Sequence, residues 1–549
     1  MKKQLLFTLL GALLLSSCSL RIPSIDPSED SESIFSESVE ESTSTSSEDP
    51  VTSETESIEA PSEIESEEVP SEEQPSEESS ESISEESSET NSDSTSEEET
   101  EDLYKLFYNP SNKVEIELDF SNQAIYNLAK YSANEEKKEM YHPVDVTITI
   151  NDKEYFFEEC GARMKGNTSR NPNFVDENGH INGLVHFKIS FNQTFDDAED
   201  NDYYIRTWAS KEERTERKDR RFAGAKKFDI KYNKNQDGTY TKQMYAYSAF
   251  REEGLFAENN NLVRTTIKTD TDSVTEVYLA QECIDKEFLQ RRLPKAEAKG
   301  NLYKSTYTDM GPADLTISSL NRIGVEGPNY HPSYDLKTND DPEEIDHSLL
   351  ENLITTINNN KSSASSFKPI LDELIDVEMI LKYQAMCWVM GNPDDNRNNY
   401  NNFYIYFNAV SNKAIFIPYD YDRCLGILQD WEVHMETVPY HSTKATGRNR
   451  EWQKNPLMWR LLLKTKSGET NQEGLKYAKD YPYIKEYRDL FVSYCEVYAN
   501  KYLNVNKFKE FTNSTYYANK NINNAGGSNM TFEDYAEAKL ATFINSPDN

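Results

Sequence analysis

The pattern of apolar and polar positions predicts paired strands in the first half of the chain. Positions alternate from Val144 to Ile150, Asn151-Asp152 supply a turn, and a second strand leads into the polar stretch Arg163 to Ser169. Strand patterns recur in "VHFKISFN" and at residues 274–280. This part of the chain is therefore predicted to contain a large share of β-structure.

A different pattern, apolar on most faces, begins at Asp376 and predicts a buried helix that ends at Gly391. Residues 402–407 and 414–420 then predict two strands joined by a short turn. Helical spacing is found in "SLLENLITTINN" and again in residues 464–549. Because helix and strand patterns both occur, the predicted fold class is α+β.

The first eighteen residues predict export and lipidation. MKKQLLFTLLGALLLSSC contains two lysines, an apolar run and a lipobox that ends at Cys18. This resemblance to bacterial lipoproteins implies cleavage before Cys18 and a lipid anchor at the outer face of the cytoplasmic membrane. The alternative is an ordinary signal peptide with an incidental cysteine. No later stretch reaches the roughly eighteen apolar residues of a membrane helix, so the lipid is the only predicted anchor.

Residues 19–102 are dominated by Ser, Glu, Thr and Pro, and residues 21–102 carry 30 acidic residues against one basic residue. Too few apolar side chains occur there to offset the entropy of ordering the backbone. A disordered acidic linker is therefore predicted between the signal peptide and a folded domain at residues 103–549. That domain has 55 basic and 67 acidic residues, a net charge of −12 that gives no indication of a nucleic-acid partner.

Besides Cys18, the chain contains five cysteines without paired spacing: Cys160, Cys283, Cys387, Cys424 and Cys495. An odd set in an exported protein argues against a disulfide framework. With no nearby CxxC or HxxxH, it also argues against a zinc site.

Three features of the first half are candidates for nucleotide binding. The loop that contains Lys165 and Gly166 can cradle phosphates, although a polar surface hairpin is the simpler alternative. Lys188 lies on a strand, where kinase-like folds place a lysine for the α and β phosphates, but an edge-strand lysine with a buried stem fits equally. Glu282 can pair with a lysine in the cleft or cap the helix that follows.

The segment "GNPDDNRNNYNNFYIYFN", residues 391–408, carries the second group of candidates. In protein kinases a buried helix, a polar catalytic loop, a hairpin and a metal-binding Asp follow one another in this order. Asp394 precedes Asn399 by five residues, as a kinase catalytic Asp precedes its Asn, and Asp395 precedes Asn402 by seven. Asx turns that bond their own backbone, or a calcium site, are the alternatives.

The order of these blocks resembles the CotH (spore coat protein H) kinase-like family. "RMKGNTS", "FKISF", "ECIDKEFLQRR" with "GNLYK", "YDLKTN", "DDNRNNYNNFYIY" with "FIPYDYDRCLG", and "NPLMWRLL" are similar to successive family segments between about Tyr141 and Leu463. The resemblance implies an atypical, minimised, bilobal protein-kinase fold that transfers phosphate from ATP to serine, with Mg²⁺, or alternatively Mn²⁺, as the metal. Its lobes would span about residues 103–340 and 341–549.

Carried onto this sequence, the resemblance implies a role for each candidate. Asp394 or Asp395 is the catalytic carboxylate, and the implied metal site comprises Asn399, Asn402, Asp420 and Asp422. The implied nucleotide-binding residues are Arg163, Lys165, Gly166, Asn167, Lys188 and Glu282. Tyr419 replaces a usual Trp, Leu425-Gly426 replaces Phe-Gly, and no activation-loop motif is recognisable, which suggests no standard phosphorylation switch.

Two functions remain open from the sequence. The first is a surface-anchored serine kinase whose substrates are surface or secreted proteins, or its own serine-rich linker. The second is a non-catalytic pseudokinase or adhesin on the same fold. Degenerate kinases often lose at least one catalytic residue. The enzyme is therefore favoured by the joint presence of Lys188, Asp394, Asp395, Asn399, Asp420 and Asp422.

Overall fold

The computed structural model describes residues 97–166, 168–196, 201–327, 329–338, 345–427, 434–441, 454–465 and 472–544. The predicted signal peptide, Cys18 and most of the predicted linker lie outside these ranges. The structure is 37% helical and 21% strand, which confirms the α+β class. Within the described ranges, no helix is long and apolar enough to cross a lipid bilayer.

The strands of the described ranges form two sheets. They are β1 (Val114–Asp119), β2 (His142–Ile150), β3 (Lys153–Met164), β4 (Phe187–Ser190), β5 (Lys227–Tyr232), β6 (Asn260–Lys268), β7 (Ser273–Glu282), β8 (Leu302–Ser305), β9 (Ile323–Gly324), β10 (Tyr334–Leu336), β11 (Phe403–Phe407) and β12 (Ala414–Pro418). The first seven close a barrel in the order β1-β2-β3-β4-β5-β7-β6, because β1 also pairs in parallel with β6.

The β2–β3 hairpin illustrates why the first half folds as strands. Asn151 and Asp152 both have positive φ, 47° and 73°, as a two-residue turn requires. Alternate residues of β2 are buried in the barrel, including Val146 and Ile148. The predicted strand and turn are therefore confirmed.

The second sheet has the order β12-β11-β8-β10-β9. Here β11, which follows the polar loop, pairs on one side with β12 and on the other with β8. Residues 302–336, which the sequence assigned to an N-terminal lobe ending near residue 340, therefore belong with the C-terminal strands. The two sheets separate between Glu282 and Leu302, before the predicted boundary between the lobes.

The helices of the described ranges lie mainly in the C-terminal half. They are α1 (Glu97–Phe107), α2 (Asn122–Tyr131), α3 (Lys211–Asp219), α4 (Lys242–Glu252), α5 (Lys286–Gln290), α6 (Ser348–Asn359), α7 (Ala364–Leu374), α8 (Val377–Met390), α9 (Asn396–Asn399), α10 (Pro456–Leu461), α11 (Gln472–Asp480), α12 (Lys485–Tyr502), α13 (Val505–Ser514) and α14 (Phe532–Ile544).

The predicted buried helix is α8. Asp376 caps its N-terminus by accepting the Met379 N–H, and Gly391 ends it in the left-handed conformation with φ 59°. Its apolar surface packs against α12 and the inner face of the second sheet, in a core that contains Trp388, Ile405 and Phe491. The five cysteines predicted not to form disulfides are free and buried.

The first helix corrects the predicted linker boundary. Helix α1 begins at Glu97, within the segment that composition assigned to the linker. Tyr104 and Phe107 of α1 are buried in the barrel core together with Tyr108. Because the first turns of α1 are as acidic as the linker, composition alone did not distinguish this helix from the linker.

Candidate active site

The polar loop after α8 gives its two aspartates different environments. Asp395 is fully buried, accepts the N–H of Asn398 at 3.0 Å as the cap of α9, and accepts the Tyr421 hydroxyl at 3.3 Å. Asp394 is half-buried. Burial raises the pKa of both carboxyl groups, that of Asp395 to about 7. This geometry favours Asp394 as the carboxylate that can reach a substrate.

Asparagine side chains surround Asp394, which accounts for their density in the loop. The amides of Asn399 and Asn401 donate to Oδ1 at 2.5 and 3.1 Å, and the amide of Asn402 donates to Oδ2 at 3.1 Å. Asn399 and Asn402 are predicted metal ligands, and in the structure their amide nitrogens orient the Asp394 carboxylate. Among the described residues, the buried Oδ1 of Asn399 has no hydrogen-bond partner, so it remains available to a cation.

Asp420 and Asp422 follow β12 and meet Lys231 of β5, a residue that sequence reasoning missed. The Lys231 ammonium lies 2.5 Å from Asp420 Oδ1 and 3.4 Å from Asp422 Oδ2. Burial opposes ionisation of Asp420, but Lys231 outweighs burial and lowers its pKa to about 2. Burial and the charge of Asp420 raise the pKa of Asp422 to about 6. Asn392 links the two segments, because its side chain accepts the Asp394 N–H at 3.0 Å and donates to the Asp420 carbonyl at 3.2 Å.

The candidate lysines of the first half meet at a second missed residue, Asp229. Lys188 on β4 lies directly opposite Asp229 on β5, and its ammonium is 2.9 Å from Oδ1. Lys165 pairs with the other carboxylate oxygen and lies 3.4 Å from the Tyr419 hydroxyl. Since Asp229 and Lys231 are two residues apart on one strand, β5 joins the lysine pair to the carboxylates after β12.

The expectation for Glu282 is wrong in both of its forms. Glu282 is buried and pairs with Arg291 at 2.9 Å and Arg292 at 2.6 Å instead of a cleft lysine. The helix that follows is capped by Asp285. Burial opposes ionisation of Glu282, but the two arginines lower its pKa to about 2.

The predicted phosphate-binding loop follows β3. Gly166 has φ 86°, and the Ser169 hydroxyl donates to the Lys165 carbonyl at 2.8 Å. Arg163 pairs with Glu139 and stacks over Tyr141 at 5.5 Å, so its guanidinium already has a partner. Asn167 lies outside the described residues.

A cleft of about 370 Å³ adjoins the Lys231–Asp422 contact. Its lining includes His186, Lys234, Asn235 and Gln243 in addition to those two residues. The cleft thus combines amine and amide donors with a carboxylate. Within the described ranges, this site included, no group of three or more His, Cys, Asp or Glu side chains is arranged to hold a metal ion.

A model of the CotH kinase protein family matches residues 201–525, more than half of the chain. The chain therefore belongs to the CotH kinase family, as its sequence motifs indicated, and is a kinase-like protein. The match includes Lys231, Asp394, Asp420 and Asp422 but begins after Lys165 and Lys188. No curated protein matches the chain. A kinase-like family implies use of ATP, a divalent metal and a protein substrate in general.

Proposed function

We propose that this protein is a membrane-anchored extracellular kinase that transfers the γ-phosphate of ATP to serine side chains of surface or secreted proteins. The arrangement of Asp394 supports this proposal most strongly. Three asparagine amides orient its carboxylate, and Asn392 joins its backbone to that of Asp420, which pairs with Lys231. The lipobox at Cys18 supports the location outside the cytoplasm.

The residues present fit a nucleotide-bound divalent cation. The carboxylates of Asp420 and Asp422 and the unpartnered Oδ1 of Asn399 are the hard oxygen donors that Mg²⁺ and Mn²⁺ prefer. Such a cation, when bound with ATP, neutralises charge on the phosphoryl group being transferred. Lys231 lies against both carboxylates, so it is the residue best placed to bind phosphate oxygens beside them.

Asp394 has the role of orienting the serine hydroxyl. Its carboxylate accepts the hydroxyl proton while the serine oxygen forms a bond to the γ-phosphorus and the bond to the ADP oxygen breaks. The amides of Asn399, Asn401 and Asn402 keep both carboxylate oxygens in place for this step. Lys165 and Lys188, held by Asp229, add positive charge on the same side of β5.

The test is label transfer from γ-labelled ATP by the purified chain lacking residues 1–18, with Mg²⁺ or Mn²⁺, followed by mass spectrometry of the labelled residue. Metal-dependent phosphoserine is expected. The variants Asp394→Asn and Asp420→Asn should lose about 100-fold or more of the rate. Asp152→Asn, at an exposed turn that accommodates Asn, is the matched control.

Two outcomes would overturn the proposal. Label that persists in Asp394→Asn and Asp420→Asn would place the chemistry elsewhere. A complete lack of label, with no rise in Tm on adding ATP and metal, would instead favour a non-catalytic surface binding protein.

A further inference from the structure

A strongly basic segment lies on the barrel surface between α3 and β5. Residues 218–227 contain five basic side chains and one acidic side chain, whereas residues 103–549 as a whole have a net charge of −12. We call Lys218, Arg221, Lys226 and Lys227 the basic face. Lys218 is exposed, and the other three are half-exposed.

The charges of the basic face are only partly neutralised, by Glu287 beside Lys226 and by the carboxyl of Asp285, on which the charge of Lys227 acts. Among the residues that the structure describes, Lys218, Arg221 and Lys227 have no carboxylate within 4.0 Å, and Lys226 has Glu287 at 3.5 Å. Arg221 donates to the carbonyls of Lys218 and Arg220 at 2.9 and 3.0 Å, which fixes its guanidinium at the surface. Arg220 itself is engaged with backbone carbonyls of the barrel, including that of Phe191 at 2.6 Å.

The basic face lies beside the start of the folded chain. Its middle is a tight turn in which Gly224 has φ 71°. A Cβ at Gly224 would lie 2.9 Å from Cγ2 of Thr100, so the first turn of α1 lies against this turn. Phe222 of the turn also packs on Phe107 of α1, with ring centroids 5.0 Å apart.

The residues immediately before α1 have the opposite charge. Residues 71–96 contain nine acidic residues, eleven serines and no lysine or arginine. We propose that the basic face binds an acidic, serine-rich polypeptide segment of the kind that residues 71–96 provide. Charge complementarity supports this ligand class, and attachment next to the face raises its local concentration.

The position of β5 gives such binding a consequence, which rests on the proposed kinase function. Lys227 begins the strand that carries Lys231, and four residues of strand span about 13 Å. A segment bound at Lys227 would therefore lie about 13 Å from Lys231 at the cleft, a distance that a few residues of the segment can span. The basic face is then a docking surface for acidic acceptor chains, separate from the residues that act on the hydroxyl.

Zero-length carbodiimide cross-linking of the full chain, read by mass spectrometry, tests the binding without nucleotide and so independently of kinase activity. Cross-links from acidic residues 72–93 to Lys218, Lys226 and Lys227 should exceed those to exposed Lys476, Lys479 and Lys509 by about fivefold or more. Arg221→Glu keeps all of these lysines and should reduce that excess at least several-fold. Lys476→Glu is the control with the same charge change, and 0.5 M NaCl should act like Arg221→Glu.

Each other outcome has a defined meaning. Lys218→Glu, read at Lys226 and Lys227, repeats the test if Arg221→Glu lowers Tm. Cross-links confined to two different copies, seen by isotope mixing, support the same ligand class supplied by a second chain. Equal cross-linking of all exposed lysines overturns the proposal. A last outcome is that the protein floats with phosphatidylglycerol vesicles, that Arg221→Glu abolishes this flotation, and that no excess of cross-links is seen. This outcome would assign the basic face to lipid binding and would also overturn the proposal.

Discussion

At the scale of single residues, neighbouring aspartates in the polar loop have different tasks. Asp395 caps α9 and accepts the Tyr421 hydroxyl, whereas the half-buried Asp394 is held by asparagine amides. We expect Asp395→Ala to lower the free energy of unfolding by about 2 kcal/mol, because it removes a cap and a buried acceptor. Asp394→Asn should lose phosphoryl transfer with a smaller loss of stability. Urea unfolding and label transfer, measured on both variants, test this expectation. A larger loss of stability in Asp394→Asn than in Asp395→Ala would contradict it.

Asp229 is the residue on which the buried lysines depend. Its side chain is 6% exposed, and it is the carboxylate partner of both Lys165 and Lys188. Asp229→Asn leaves two buried ammonium groups without that partner, so we expect a loss of about 3–5 kcal/mol in the free energy of unfolding. Urea unfolding beside the exposed control Asp152→Asn measures it. A loss no larger than that of the control would show that the lysines find other partners.

The ionisation of Asp229 should also make the stability of the protein depend on pH. Burial alone would raise the pKa of Asp229, but Lys165 and Lys188 outweigh burial and hold it well below its usual range. A carboxyl with a lowered folded-state pKa contributes its full stability above its unfolded value of about 3.9 and loses that stability as the pH falls further. Wild-type protein should therefore lose stability more steeply below about pH 4 than Asp229→Asn. Parallel curves for the two proteins would contradict the assignment.

Sequence reasoning identified Lys188 and Asp420 but not the residues that pair with them. The pairing of Lys188 with Asp229 depends on the register between β4 and β5, which the sequence alone does not specify. A signal was nevertheless present in "KFDIKY", where Asp229 and Lys231 interrupt an apolar strand on one face. Isolated charges on a buried strand indicate partners elsewhere in the fold.

At the scale of elements, α1 is part of the folded barrel. Tyr104 stacks with Arg291 at 4.6 Å and its hydroxyl accepts from the Asn259 amide at 2.9 Å, while Phe107 fills the core. Deletion through residue 108 should therefore cost about 1.5–3 kcal/mol for each buried aromatic side chain and lower Tm strongly. Deletion through residue 96 is the matched control and should leave Tm nearly unchanged. Equal Tm values for the two deletions would show that α1 contributes little.

The sequence predicted individual helices and turns more accurately than it predicted which strands pair with each other. The limits of α8 came from a capping Asp and a terminal Gly, and the β2–β3 turn came from Asn151-Asp152. The pairing of β8 with β11 joins residues about a hundred positions apart, and no local pattern encodes it. For this reason the sequence did not indicate that the second sheet begins at β8.

At the scale of the whole molecule, the candidate site depends on residues outside the family match. The match begins at residue 201, yet β1 closes the barrel by pairing with β6, and β4 supplies Lys188. Strands before residue 201 therefore hold β5, with Asp229 and Lys231, in its place in the barrel. The folded unit that carries the candidate site is consequently larger than the matched region.

The proposed location of the molecule at the membrane rests on one residue outside the described ranges, Cys18. The lipobox predicts that the mature protein begins at a diacylated Cys18. Two acyl chains bind a membrane far more stably than one. We expect Cys18→Ser to move the protein from the detergent phase to the aqueous phase in Triton X-114 partition of producing cells. Cys283→Ser, at a buried cysteine outside the lipobox, is the control and should stay in the detergent phase. The proposed phosphoryl transfer does not require the lipid anchor. The released variant should therefore still transfer label to a soluble serine peptide. Retention of Cys18→Ser in the detergent phase would show that another part of the chain anchors it.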